Sequence, residues 1–264
     1  MELKGKVSIV TGGAKGMGLG CVQKLASEGA NVCIADLDLE TAEKVSKAIK
    51  DEGGHAIAVK VNVANSEEVQ HMVQEVIEAY GGIDILVNSA GVQRYGTVVE
   101  TSEDLWEEVI DTNLKSMFLT AKYSIPHMKQ RGGGSIVNIS SVQAFATQKG
   151  VAAYTASKGG INALTQALAI DHAEDQIRVN AICPASVDTP MLRWAADLFK
   201  GEQTVEEVVS TWGKNHPLGR VGKIEEIAEY VSFLVGPRSS FITGTCNRID
   251  GGLLAQSPVV LPED

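Results

Sequence analysis

The 264-residue chain is expected to fold as a single α/β domain: a doubly wound parallel sheet of about seven strands with helices on both faces. Three observations predict this class. Short apolar runs alternate with longer amphipathic stretches along almost the whole length. Those runs are apolar throughout, as strands covered on both faces must be. No low-complexity linker, fixed-period repeat or break in composition divides the chain, so residues 1–264 read as one unit.

The first strand, Val7–Val10, runs straight into Thr11-Gly12-Gly13-Ala14-Lys15-Gly16-Met17-Gly18, and a helical pattern including Val22–Ser27 follows. Glycines between a strand and a helix let the backbone turn tightly and approach a diphosphate, which the helix N-terminus then attracts. Gly12, Lys15, Gly16, Met17 and Gly18 are the expected cradle. The second strand, Val32–Ala35, ends on Asp36, 18 residues after Gly18. A carboxylate there accepts from both adenosine ribose hydroxyls and repels a 2′-phosphate. Lys15 pulls the other way, but Asp36 occupies the phosphate's own space, so NAD is favoured over NADP.

Helix Thr41–Lys50, strand Ala56–Val61, helix Glu67–Ala79, strand Ile83–Val87 and helix Leu105–Met128 come next. Strand Ile136–Ile139 leads to Ser140 and Ser141, and then to a helix over Tyr154–His172 with Ile161, Leu164 and Leu168 on its buried stripe. Strand Val179–Cys183 is followed by residues 187–216, where prolines and charges interrupt the alternation; an insertion just beyond a strand's C-terminal end suits a substrate lid. A seventh strand, Cys246–Ile249, comes late, and the tail Gln256–Asp264 is expected to be loosely held unless a partner subunit captures it.

Tyr154 and Lys158, four apart on a helix, share one face. A free tyrosine titrates near pH ~10, and a cation one turn away favours the phenolate. Lowering it by about three units takes roughly 4 kcal/mol of preferential stabilisation of the anion. Ser141, 13 residues before Tyr154, ends the fifth strand on the ligand-binding edge, where its hydroxyl can hold a substrate oxygen. Ser140 points the other way and is expected to be structural.

The formal charge of −10 disfavours a general nucleic-acid or anionic-membrane binder. The four cysteines, Cys21, Cys33, Cys183 and Cys246, lie far apart without a CxxC pair, and read as buried thiols of a reducing compartment with no metal. The absence of an apolar leader and of an 18-residue apolar run makes the cytoplasm the expected location.

Taken together, these residues resemble the short-chain dehydrogenase/reductase family, over essentially the whole chain. Thr11 to Gly18 matches its glycine motif. Asn88-Ser89-Ala90-Gly91 matches its Asn-Asn-Ala-Gly motif with one serine substituted, and Asn113 falls on its catalytic asparagine. Ser141, Tyr154 and Lys158 fall on the rest of the tetrad, Arg178-Val179-Asn180 and Pro184 on the segment that places the nicotinamide, and Ile242-Thr243-Gly244 and Asp250-Gly251-Gly252 on the C-terminal signature. Ala185 stands where the family usually has glycine, and Asn62 where it has aspartate near the adenine.

The resemblance implies a Rossmann-like fold and nicotinamide-dependent oxidation of an alcohol or reduction of a carbonyl. Tyr154 is then the acid–base, Lys158 lowers its pKa and holds the nicotinamide ribose, Ser141 orients the substrate oxygen, and Asn113 holds a water linking Lys158 to solvent. It adds Leu37, Asn62, Val63, Asn88, Ala90, Gly91, Pro184, Val187 and Thr189 to the cofactor contacts, and implies a homotetramer. Substrate contacts are expected from Gln93, Arg94, Ser141, Gln143, Phe145, Tyr154 and Trp194, with Tyr95, Gln148, Met191, Leu192 and Trp212 nearby; Arg94 or Arg193 suits an anionic group. Buried amides need polar partners, which points to a sugar or polyol. The alternatives are a reductase of 3-oxoacyl or other carbonyl groups and, more remotely, a non-catalytic nucleotide-binding scaffold.

Overall fold

Seven strands pair in one sheet in the order β3-β2-β1-β4-β5-β6-β7, and every pairing is parallel. They are β1 Val7–Thr11, β2 Asn31–Asp36, β3 His55–Lys60, β4 Ile85–Asn88, β5 Gly134–Ile139, β6 Ile177–Pro184 and β7 Cys246–Ile249. The helices are α1 Gly16–Ser27, α2 Leu39–Asp51, α3 Ser66–Tyr80, α4 Glu103–Ile110, α5 Ser116–Gln130, α6 Ala152–Asp171, α7 Pro190–Phe199, α8 Val205–Gly213 and α9 Ile224–Val235. These coordinates are a computed structural model that describes residues 1–256.

Successive strand residues point to opposite layers. Val10 belongs to an apolar layer with Val22 and Leu25 of α1 and Ile227 and Val231 of α9. Its neighbour Ile9 belongs to the other layer, with Val69 and Met72 of α3 and Leu119 and Ile125 of α5. This two-sided burial is why β1 and β4 carry no exposed residue, whereas the edge strand β3 does. The chain leaves β1 towards β2 and β3, then returns to β4 on the other side of β1, so the loops after β1 and β4 diverge at a topological switch point.

All seven expected strands are present, within two residues of their expected ends. The single helix expected over Leu105–Met128 is not. It is α4 and α5 joined by a π turn at Asp111–Lys115. The wider turn carries Asn113 into the interior, where it is fully buried.

Residues 187–216 form α7 and α8, whose Ala196, Val208 and Val209 make a small apolar cluster of their own with Leu192 and Trp212. Cys21, Cys33 and Cys183 are buried, Cys246 is half-buried, and all four are unbridged. Among the described residues no helix is long and apolar enough to cross a membrane, and no cluster of His, Cys, Asp and Glu is suited to a metal ion. Beyond Gln256, the expectation for the tail Gln256–Asp264 lies outside the described residues.

Candidate active site

The cradle is closed by backbone. Gly12 has φ +64°, and a Cβ there would stand 2.8 Å from Ala90 Cα. Thr11 Oγ1 accepts from the N–H groups of Ser89 (3.1 Å) and Ala90 (3.3 Å), which holds the loop after β4 against the loop after β1. A side chain on Gly18 would strike the Gly12 carbonyl. Gly16 lies beneath the start of α7, its Cβ position 3.7 Å from Thr189 Cβ. Asp38, Asn65, Ser102, Thr189 and Thr204 cap α2, α3, α4, α7 and α8, but α1, with Lys15 at its N-cap position, has like α6 no side-chain cap and no acid in its first turn. Open N–H groups behind a loop without side-chain bulk fit the diphosphate of a dinucleotide.

Asp36 sits on the rim of that cradle, its two oxygens accepting from Ala14 N and Asp38 N, both at 3.0 Å. Lys15 does not pair with it. Lys15 Nζ reaches Asp38 Oδ2 at 2.6 Å, and this bond, with those from Thr41, holds Asp38 down at about 2. Sequence reasoning passed over Asp38; the signal was a second acid two residues after Asp36, at an N-cap. Leu37 is exposed and Val63 is buried. Asn62 Oδ1 accepts from Ala64 N at 3.0 Å, so this side chain closes the turn it stands in.

Ser141 follows β5 and caps the short 3-10 turn Val142–Ala144, accepting from Gln143 N at 3.1 Å. Tyr154 and Lys158 project from the first turns of α6, with Lys158 Nζ 5.3 Å from the centre of the Tyr154 ring. Lys158 Nζ donates to the Ile139 carbonyl at 2.9 Å. Burial pushes Tyr154 up to about 12, which hydrogen bonding from Ser141 opposes, and pushes Lys158 down to about 8. The lowering of Tyr154 expected from Lys158 is therefore outweighed: a charge held 5.3 Å from the ring centre and bonded to a carbonyl does not offset a dry phenol. Ser140 donates to the Lys158 carbonyl, the structural part expected of it.

Asn113 reaches this group from the π turn. Its Oδ1 accepts from Val92 N (2.8 Å), and its Nδ2 donates to Val92 O (2.9 Å) and Ser157 Oγ (3.0 Å). The side chain is committed to a clamp on the loop after β4. Asn88 also turns inward: Thr120, Asn88, Asn138 and Thr165 form a buried side-chain chain with links of 2.8–2.9 Å, leaving only its backbone for a ligand. Ala90 and Gly91 remain at the crevice, with Lys158 Nζ 3.9 Å from the Cβ position of Gly91. Arg178 and Asn180 bond the carbonyls of Leu234, Gly236 and Ile242 and pin the approach to β7.

A cleft of about 660 Å³ opens beside Tyr154, lined by Met17, Gln93, Tyr95, Ser141, Gln143 and Gln148, by Pro184, Val187 and Thr189, and by Met191, Leu192 and Trp212. Three expected substrate contacts are not there. Arg94 is turned outward into an ion pair with Glu108. Phe145 is 53% exposed, because the 3-10 turn after Ser141 directs it to solvent. Trp194 is 45% exposed, lies against Tyr95 (ring centres 5.9 Å) and does not line the cleft. Arg193 pairs with Asp188 and Glu206 instead of meeting an anion. Asn215, His216, Leu253 and Leu254 were missed and do line the cleft. The Asp250-Gly251-Gly252 motif was the available signal, since this turn brings Leu253 and Leu254 into the wall. A larger groove of about 850 Å³ runs between α1 and α2, past Leu19, Val45 and Ile49, but holds none of the tetrad.

Comparison with known proteins agrees with this arrangement. Residues 12–254 match a family described as Enoyl-(Acyl carrier protein) reductase. The chain is 37% identical over 254 residues to a 3-oxoacyl-[acyl-carrier-protein] reductase from Thermotoga maritima, covering 96% of this chain and 100% of that one. It is 35% identical over 256 residues to the meso-2,3-butanediol dehydrogenase of Serratia marcescens, covering 97% of each. Among solved structures, the ligand-free aldohexose dehydrogenase of Thermoplasma acidophilum superposes with a TM-score of 0.91 at 37% identity, over 99% of this chain and 98% of that one. An actinorhodin polyketide ketoreductase variant with NADPH superposes with a TM-score of 0.90 at 33% identity, over 94% and 97% of the two chains.

Proposed function

Because this chain belongs to the short-chain dehydrogenase/reductase family and is an oxidoreductase acting on alcohol or carbonyl groups, we propose that it oxidises a secondary alcohol of a sugar or polyol with NAD. The observation that carries this reading is the meeting of Ser141, Tyr154 and the open cradle at the switch-point edge, beside one polar cleft. When bound, the nicotinamide ring accepts the hydride. Tyr154 takes the hydroxyl proton, Ser141 holds the substrate oxygen against it, and Lys158 supplies the nearby positive charge that the phenolate needs. Asn113 positions the loop carrying Ala90 and Gly91, and α7 and α8 (residues 187–216) act as the lid that keeps water out.

The preference for NAD rests on Asp36 at the cradle rim and on Asp38, which draws Lys15 away from where a 2′-phosphate would sit. The polar lining of Gln93, Gln143 and Gln148 and the likeness to an aldohexose dehydrogenase support a polyhydroxylated substrate. Reduction of a 3-oxoacyl group is the second reading, favoured by the likeness to the Thermotoga reductase. We further propose a homotetramer working in the cytoplasm.

The test follows absorbance of the reduced cofactor across sugars, polyols and monoalcohols, with NAD and NADP in parallel. Turnover with NAD, reduced about 10²–10⁴-fold in Tyr154→Phe while cofactor binding persists, is the expected result. Turnover with NADP alone, and of 3-oxoacyl thioesters in preference to alcohols, sinks it.

A further inference from the structure

His216 has no part in the chemistry above, yet it is one of the most firmly held side chains in the cleft wall: 3% exposed, in the turn after α8. Its backbone N–H donates to Gly213 O, and its carbonyl accepts from Gly219 N at 2.7 Å. The turn Asp250-Gly251-Gly252 presses on it from the other side. Gly251 has φ +57°, and a Cβ there would come within 3.3 Å of His216 Cβ. Asp250 is itself fixed, its carboxylate accepting from the N–H groups of Gly252 and Leu254, both at 3.0 Å.

The imidazole Nδ1 lies 2.8 Å from the Asp250 carbonyl. A carbonyl only accepts, so Nδ1 carries the proton, and in that tautomer Nε2 is an acceptor. Among the described residues, no donor meets Nε2. A second acceptor in the same cleft is also unmet by the protein, and this one is enclosed. Gln143 Oε1 is buried and has no hydrogen-bond partner among the described residues. Buried polar atoms are rarely left in this condition, and each one counts against the folded state until a donor arrives.

We propose that His216 and Gln143 form a recognition subsite for further hydroxyls of the substrate, one donor to each acceptor, in the cleft where Tyr154 deprotonates the reacting one. Two bare acceptors demand hydroxyl donors, so the preferred substrate is a diol, polyol or sugar. A monoalcohol leaves both acceptors empty, and a 3-oxoacyl group would bring a further carbonyl oxygen against them. This rests on the reading of the chain as an alcohol dehydrogenase and adds the residues that select among alcohols.

The experiment compares kcat/KM for cyclohexanol with that for its vicinal diol, and adds an aldohexose, using wild type, His216→Asn, His216→Gln and Gln143→Leu. Asparagine keeps an N–H for the Asp250 carbonyl but lacks the distal acceptor; glutamine reaches as far as Nε2. Wild type is expected to favour the diol and the sugar. The aldohexose-to-cyclohexanol ratio should fall about tenfold in His216→Asn and in Gln143→Leu, and recover in part in His216→Gln, while the diol, with one further hydroxyl, should respond to one of the two changes. Titrating the aldohexose into the complex of each variant with NADH, read by NADH fluorescence, should show the same loss in affinity.

A wild-type ratio near unity overturns the subsite. So does a His216→Asn enzyme that loses both substrates in proportion, since that is the mark of a merely structural residue. Running NAD and NADP in parallel separates the two ideas: a wrong cofactor assignment moves both alcohols together and leaves their ratio intact. No turnover of any alcohol with either cofactor overturns the underlying reading and the subsite with it.

Discussion

Burial sets the resting protonation of Tyr154 and Lys158, and the consequence for stability has a definite sign. Lys158 sits at about 8 in the folded protein against an ordinary 10.5, so between those values its site binds more protons in the unfolded chain and its contribution to stability climbs as pH rises, against the fall contributed by the buried thiols Cys21 and Cys183, which burial pushes up. Below that window the ammonium is charged in both states, and its burial costs about 3 kcal/mol. Lys158→Met removes that cost and deprives the Ile139 carbonyl of its donor, which offsets about 1 kcal/mol. The variant should therefore be inactive yet more stable than wild type at neutral pH by about 2 kcal/mol, and that advantage should shrink as pH rises across the window; calorimetry of both proteins over that range checks it. At the cradle, Asp38→Asn frees Lys15 from its 2.6 Å pair. The kcat/KM ratio of NADP to NAD should rise about fivefold, and adding Lys15→Ala should cancel the gain, because the pair is exposed and screened.

The junction between α4 and α5 shows how a short irregularity organises a site. An unbroken α-helix would rotate Asn113 away from Val92; the π turn brings it in, and its amide then makes three bonds with two other segments. Asn113→Ala should cost about 2–3 kcal/mol in urea unfolding, because the backbone groups of Val92 and the Ser157 hydroxyl lose their partners. Its kcat should fall with little change in substrate affinity, since the residue positions a loop and touches no reacting atom; a KM that rises in step with the loss of kcat would contradict this. The helix over Leu105–Met128 was legible as apolar periodicity, but one extra residue in a turn scarcely alters that periodicity, so the break was not.

The assembled subunit presents apolar side chains on α4 and α5 that the described residues do not cover, Trp106 at 41% and Phe118 at 48% exposed. If the proposed tetramer uses this face, Phe118→Glu should reduce the mass measured by light scattering below four chains, without unfolding the monomer. An unchanged mass would place the interface elsewhere. The α7–α8 unit is built on a separate apolar cluster, and one of its contacts with the rest of the subunit is Tyr95, which packs on Trp194 and, edge-on at 4.7 Å, on Phe199. Tyr95→Ala should loosen that contact and raise KM more than it lowers kcat, as steady-state kinetics would show.

Local rules were enough for the strands, the glycine turn, Asp36 and the Tyr154–Lys158 spacing. A strand buried on both faces must be apolar throughout, and a helix puts positions four apart on one face, so these features are written in neighbouring residues. The folded chain alone decided which side chains line the cleft. Arg94, Phe145 and Trp194 stand near the site in sequence but point outward, while His216 and Leu253 are remote in sequence and line it. It alone also decided that Lys15 pairs with Asp38, that Asn113 and Asn88 spend their amides inside, and that burial governs the protons of Tyr154 and Lys158. Direction of a loop side chain, competition for hydrogen bonds and loss of solvent all depend on segments far apart in the chain, and no local pattern carries them.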